Sequence, residues 1–348
     1  MGEGSFDPNA AAAVGSGIYG LPHGPAEAAV VLVPVPWEVT TSYRPGTARG
    51  PAAIVAASRQ VDLYDPETGR PYRAGIAMLD ASPEVRAWNQ EGRALAEAVI
   101  ERGGDLEGAP ELEAAVRRVN DLGARLNDRV RAEAARWLAD GRLVGVVGGD
   151  HSTPFGLIQA VADRHPGLGI LHVDAHADLR DAFEGFTWSH ASVMFNVLAR
   201  IPEVARIVQV GVRDLCEAEM ELIGGSAGRV VTHFDVELTT RRFTGEGWAV
   251  QCEKIVELLP ESVYLSFDID GLDPTLCPHT GTPVPGGLLF PQATLLVAAV
   301  ARSGRRIVGF DVTEVAPGPE GDEWDANVGA RLLYRIIGWA LKSNGHAL

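Results

Sequence analysis

Residues 171–180 read LHVDAHADLR. An apolar run ends there, and a polar side chain then occupies every second position: Asp174, His176 and Asp178. In extended backbone alternate residues share a face, so two carboxylates and an imidazole converge on one spot. Other segments end in similar chemistry. VYLSFDID (263–270) closes on Asp268 and Asp270, LVGVVGGDH (143–151) on Asp150 and His151, and RIVGFDVTE (306–314) on Glu314. A lone strand-end aspartate caps a helix or forms a turn. Two or three acids pointing the same way do neither. Crowded carboxylates repel, and desolvation drives some of them to protonate. Divalent cations remove that conflict, and two of them balance the four aspartates. Oxygen ligands with two imidazoles suit a hard transition ion such as Mn²⁺. The candidate ligands are His151, Asp174, His176, Asp178, Asp268 and Asp270. Six ligands for two ions require bridging carboxylates, as in hydrolytic sites whose ions lie about 3.5–4 Å apart and activate one water.

The elements that position these residues alternate along the chain. Apolar runs at 30–36, 76–79, 143–149, 169–174, 206–212, 229–235, 263–270 and 306–312 read as strands. Helical patterns at 153–165, 190–201, 253–259, 291–303 and 328–343 separate most of them. Strands apolar on both faces and joined by helices predict a parallel sheet covered on both sides, an α/β fold. In such sheets the site lies beyond the carboxyl ends of the strands. Residues 83–140, rich in Ala, Glu and Arg, read as a helical insertion, and 110–140 as one long or kinked amphipathic helix. Residues 1–27 read as a flexible arm ahead of one domain over 28–348.

Composition narrows the partners. The formal net charge is -16, which argues against nucleic acid as a partner, since its phosphate backbone calls for a basic surface, and favours a cationic small molecule. Three cysteines, Cys216, Cys252 and Cys277, form no close pair, so a structural zinc site and a disulfide framework are disfavoured. The first 20 residues lack a basic segment and a long apolar core, unlike a signal peptide. No stretch has the length of a membrane span. The expectation is a cytoplasmic protein that binds no membrane.

GGDHS (148–152), DAHADLR (174–180), SFDIDGLDP (266–274) and TEVAP (313–317) resemble, in order and spacing, the signature blocks of the ureohydrolases, the arginase and agmatinase family. TTSYRPGTARGPAAI (40–54), SHAS (189–192) and TGTPVPGG (280–287) look more like agmatinases than arginases. The resemblance implies an α/β/α domain with a mostly parallel eight-stranded sheet, two Mn²⁺ ions and a homotrimer or homohexamer. It implies that His151, Asp174, Asp178 and Asp268 hold one ion and that Asp174, His176, Asp268 and Asp270 hold the other. The water between them would attack a guanidinium carbon, releasing urea and an amine, with Asp178 orienting it. Glu314 would bind the guanidinium nitrogens, and His190 would pass protons to the leaving amine.

Agmatine is the expected substrate. Arg180 bears on that choice. It follows the metal motif by two residues and would disfavour a free ammonium unless Asp181 or Glu184 neutralises it; otherwise it would greet a carboxylate. The alternatives are therefore a guanidino-acid hydrolase of the guanidinobutyrase kind, a formimidoylglutamase, a free-guanidine hydrolase or, outside the class, a metal-binding protein without catalysis. His172 and Asp150 are expected to support ligands rather than to be ligands, and His279 to be an exposed loop residue.

Overall fold

A computed structural model describes residues 6–348. Among these, eight strands form one sheet: β1 (Val30–Val35), β2 (Ile76–Met78), β3 (Leu143–Gly148), β4 (Leu168–Val173), β5 (Val204–Val210), β6 (Val230–His233), β7 (Ser262–Asp268) and β8 (Arg306–Thr313). Their order is β2-β1-β3-β8-β7-β4-β5-β6, and every pairing is parallel. This is the expected α/β arrangement, wholly parallel rather than mostly so. Runs such as VVLVPV are buried at every position, because helices cover both faces.

One face carries α1 (Gly50–Ser58), α8 (Trp248–Glu257), α9 (Phe290–Arg302) and α10 (Trp324–Ser343), whose Ile54, Ile255, Leu296 and Leu332 share one apolar core. The other carries α2 (Pro83–Ile100), α3 (Pro110–Ala139), α4 (Phe155–Ala162) and α5 (Val193–Arg200), with Val85, Leu122, Leu157 and Met194 in a second core. Two further helices, α6 (Glu217–Gly225) and α7 (Asp235–Phe243), lie beside the β6 edge in sequence. No helix among the described residues is long and apolar enough to cross a membrane.

The topology has a direct consequence for chemistry. The four strands with polar carboxyl ends, β3, β8, β7 and β4, are consecutive neighbours in the sheet. Residues separated by more than a hundred positions therefore converge on one rim.

Residues 83–140 are two helices, α2 and α3, that cover a sheet face. α3 also braces the rim. The Asn120 side-chain amide donates to the Gly185 carbonyl (3.1 Å) and accepts from the Thr187 amide (2.8 Å). The flexible arm needs correction. Ile18, Tyr19 and Leu21 are buried. The Tyr19 hydroxyl donates to the Ala330 carbonyl (2.9 Å), its amide donates to Ser58 Oγ (2.8 Å), and its ring packs on Tyr334 at 4.8 Å. Three large side chains spaced within a glycine-rich stretch anchor it to α1 and α10. The first five residues of the expected arm lie outside the described part.

Candidate metal centre

Two glycines let the strand ends approach. A Cβ on Gly149 would fall 1.8 Å from the Trp37 carbonyl oxygen, and one on Gly271 would fall 2.8 Å from the Asp174 amide. Neither position tolerates a side chain, so GGDH and DIDG owe their glycines to packing around the site.

His151, after β3, points into the cluster. Its Nδ1 lies 2.8 Å from Asp174 Oδ2, 3.0 Å from Asp178 Oδ2 and 3.3 Å from Asp268 Oδ2. Its Nε2 sits 2.9 Å from Ser266 Oγ on β7. His176 Nδ1 lies 3.1 Å from Asp270 Oδ2 and 3.5 Å from Asp174 Oδ1. Asp268 Oδ1 accepts from the Asp270 amide (2.8 Å), which fixes the turn presenting both acids. All six candidate ligands meet at this rim, and five are buried, with His176 partly exposed.

Burial pushes Asp178 up to about 6, with the Asp174 charge adding to it. Burial, then Asp270 and Asp174, hold Asp268 well above the usual carboxylate range. Burial opposes Asp174 ionisation, yet His172, His151 and His176 keep its carboxyl well below the usual range. His151 Nδ1 and Asp178 Oδ2 are buried and lie 3.0 Å apart, yet neither is aligned in a hydrogen bond among the described residues. Buried ligand-type atoms that face one another without such alignment, within a concentration of carboxylates, fit a bound cation. The donor set, imidazole nitrogen and carboxylate oxygen around two adjacent points, suits divalent metal ions.

Two site residues sit in left-handed backbone, Asp178 at φ 54° and Glu314 at φ 60°. Such conformations cost energy in non-glycine residues and cluster at functional sites. At Asp178 the strain is held by α5, whose Met194 and Phe195 amides both donate to the Asp178 carbonyl at 3.1 Å. At Glu314 the carboxylate turns back to accept the His151 amide (2.9 Å). Burial, then Asp268 and Asp150, raise Glu314 well above its ordinary value.

A cavity of about 200 Å³ opens over the cluster, lined by His151, His176, Asp178, Asp268, Asp270, Glu314, His190 and Arg180 among others. His190 begins the turn before α5. Its Nδ1 lies 3.4 Å from both Thr40 Oγ1 and Ser189 Oγ, and its ring meets Phe183 edge-on at 5.9 Å. Burial, then the charges of His176 and His151, push it down to about 3, so it is a neutral imidazole. Arg180 lies at the mouth. Its Nε is 3.8 Å from Glu219, and its guanidinium stacks over Phe183 at 4.9 Å. Its ion-pair partner among the described residues is thus Glu219 of α6, not Asp181 or Glu184.

His172 lies one step deeper. Its Nε2 is 2.8 Å from Asp174 Oδ2, and Gln209 Nε2 is 3.0 Å from its Nδ1. With both nitrogens engaged, it supports Asp174. Asp150 turns away from the cluster, where Oδ1 accepts from the Ser152 amide (3.0 Å) and hydroxyl (2.5 Å). His279 is not a free loop residue; its Nδ1 pairs with buried Asp325 at 2.8 Å.

Three residues escaped sequence reasoning. Glu219 is buried, accepts the Leu179 (3.0 Å) and Cys216 (2.9 Å) amides, and so ties the metal loop to α6. Thr282 Oγ1 reaches Asp270 Oδ2 at 3.4 Å. Arg213 donates to the carbonyls of Gly211 (3.0 Å), Asp270 (2.6 Å), Leu272 (3.1 Å) and Val284 (3.0 Å), clamping three loops without meeting a carboxylate. Arg213 lies three residues beyond β5, as His151 lies three beyond β3, and that position was the available signal.

The arginase-family sequence profile matches residues 28–338 of the chain. The chain belongs to the arginase family. It is 33% identical over 313 residues to an N(1)-aminopropylagmatine ureohydrolase of Thermus thermophilus, covering 90% of each chain. It is 30% identical to the proclavaminate amidinohydrolase of Streptomyces clavuligerus, over 90% of this chain and 91% of that one. The fold matches the agmatine ureohydrolase of Thermoplasma volcanium with a TM-score of 0.72 at 23% identity, across 96% of this chain and 97% of that one. This arginase-family chain is a ureohydrolase, an enzyme that cleaves guanidino carbon–nitrogen bonds in a family that depends on a binuclear metal site.

Proposed function

We propose that the protein is a di-manganese amidinohydrolase that converts agmatine, or an agmatine extended at its amine end, to urea and the corresponding amine. The observation that carries this reading is the convergence of Glu314, His190 and five ligand-type side chains on one cavity of about 200 Å³, with the sixth, Asp174, against His151 and His176 beneath them.

His151, Asp174, Asp178 and Asp268 would hold one ion, and Asp174, His176, Asp268 and Asp270 the other. Bound there, two divalent ions supply Lewis acidity and lower the pKa of a water. The remaining work belongs to side chains. Glu314 receives the guanidinium through charge-assisted hydrogen bonds and, held by the His151 amide, fixes the substrate carbon over the cluster. Asp178 accepts a hydrogen bond from the attacking water. Water oxygen bonds to the guanidinium carbon, the bond from that carbon to the alkylated nitrogen breaks, and both water protons end on the departing nitrogen, which leaves as an ammonium beside neutral urea. His190, neutral and held through Nδ1 by Thr40 and Ser189, relays one of these protons, taking it up only as it passes it on.

The substrate tail points past Arg180, Phe183 and Glu219. The Arg180 guanidinium is stacked on Phe183 and faces Glu219, which leaves it poorly disposed to take a carboxylate and leaves the mouth with a second acid, Asp214. An amine-ended tail suits that mouth, and the names of the T. thermophilus and T. volcanium relatives point the same way. The test is urea release by the Mn²⁺-loaded enzyme from agmatine, N(1)-aminopropylagmatine and 4-guanidinobutyrate, in the parent and in Arg180→Ala. The parent should prefer the amines, and Arg180→Ala should not weaken that preference. A parent preference for 4-guanidinobutyrate that Arg180→Ala abolishes would replace this substrate with a guanidino acid.

A further inference from the structure

At the amino-terminal rim of the sheet, opposite the metal centre, a second cavity of about 550 Å³ opens where β3 and β8 begin. Its polar lining includes Arg142, Arg164, Arg306, His165 and His346, and among the described residues no acidic side chain contributes to it. In a chain with 46 acids against 30 basic residues, a cavity with cations alone stands out. Leu138, Leu143 and Val308 supply an apolar part of the wall. We propose that this cavity is a binding site for a small phosphate monoester, with the arginines taking the phosphate and the apolar wall taking the organic body.

The cations are not already spent. Among the described residues Arg164 has no ion-pair or side-chain hydrogen-bond partner. Arg142 gives one nitrogen to the Ala26 carbonyl (2.5 Å), while its Nε is buried without a partner. Arg306 reaches Ser262 Oγ at 3.5 Å and Glu261 at 3.7 Å, across a pair whose side chains are 45% and 80% exposed, contacts worth little. Burial, then the charges of Arg306 and Arg164, lower the His165 imidazole, so the cluster already feels its own repulsion. The carboxyl-terminal ends of α3, α4 and α10 fall just before Arg142, Arg164 and His346, and their partial negative charge makes the cluster tolerable without a ligand. That offset is fractional, whereas a phosphate brings nearly two charges and acceptors matched to guanidinium forks. A volume of about 550 Å³ is in the range of small-molecule sites and is far more than one phosphate fills, which is why an ester rather than the free ion is the expected ligand.

The test follows the His165 ring resonance by NMR in the Mn²⁺-loaded protein. It is titrated with glycerol 2-phosphate, with inorganic phosphate, and with sodium chloride at matched ionic strength. Glycerol 2-phosphate should raise the His165 pKa saturably and bind more tightly than inorganic phosphate. Chloride should produce only a small, unsaturable change. Arg164→Gln and Arg306→Gln, both at exposed positions, should each weaken binding by about tenfold or more, the scale of one hydrogen bond to a charged group, with urea release unchanged. Equal responses to phosphate and chloride, or equal affinity in the parent and both variants, would overturn the proposal. Inorganic phosphate that binds as tightly as the ester would refute the assignment to an ester.

Discussion

Replacing Glu314 by Gln separates what this carboxylate does for substrate from what it costs the fold. Oε1 accepts the His151 amide at 2.9 Å, a bond the Gln carbonyl retains, so the loop after β3 keeps its anchor. The other oxygen has no protein hydrogen bond among the described residues and is the one free for a guanidinium. Turning it into an amide removes the charge and sets donor against donor. A hydrogen bond to a charged group contributes about 1.5–3 kcal/mol, so kcat/KM should fall between about tenfold and 150-fold. Stability should move the other way. Glu314 is held well above its ordinary value by burial and by Asp268 and Asp150. The folded state therefore binds this proton more tightly than the unfolded chain, and stability falls as pH rises from the ordinary carboxylate value towards the raised one. Without metal, Glu314→Gln should melt above the parent at pH 8, with the gap closing as pH falls towards 4. Urea-release kinetics and thermal melts in chelator check both arms. An unchanged kcat/KM would refute substrate binding by Glu314, and a lower metal-free melting temperature at pH 8 would refute the electrostatic argument.

Other perturbations extend the account. Asp178→Asn and His176→Ala should each remove most activity and lower metal content while leaving circular dichroism intact, because neither side chain packs the core; metal analysis beside urea release checks this. Arg213→Lys should loosen the loop carrying Asp270, since a point charge cannot span the four carbonyls that the guanidinium reaches; calorimetry should show one of two metal-binding steps weakened about tenfold. The metal-free parent should lose stability as pH rises from about 4 to 7, because burial holds Asp178 at about 6 and Asp150 at about 7. Divalent metal should remove the part due to Asp178, as denaturant titrations across that range would show.

Much of this was legible in the sequence, for physical reasons. A two-sided parallel sheet needs apolar runs, so its strands announce themselves. Alternating acids at strand ends have few explanations besides metal, so the six candidate ligands could be named together. Glu314 and His190 needed the family resemblance, because a lone acid or imidazole carries no pattern. What stayed hidden depends on tertiary placement. Glu219 sits in an ordinary acidic helix, and only the fold turns it towards Leu179 and Arg180. Ile18, Tyr19 and Leu21 lie in a segment rich in Gly and Ala, and nothing local marks them as anchored to α1 and α10. α1, with its sequence GPAAIVAAS, has too little polar contrast to read as an amphipathic helix.

In the proposed chemistry, two metal ions act together beneath Glu314. Titrating Mn²⁺ into chelator-treated protein, with agmatine present and urea release followed, tests it most directly. Activity should rise from near zero and level off at two equivalents per chain. A plateau at one equivalent, or full turnover before any metal is added, would contradict it.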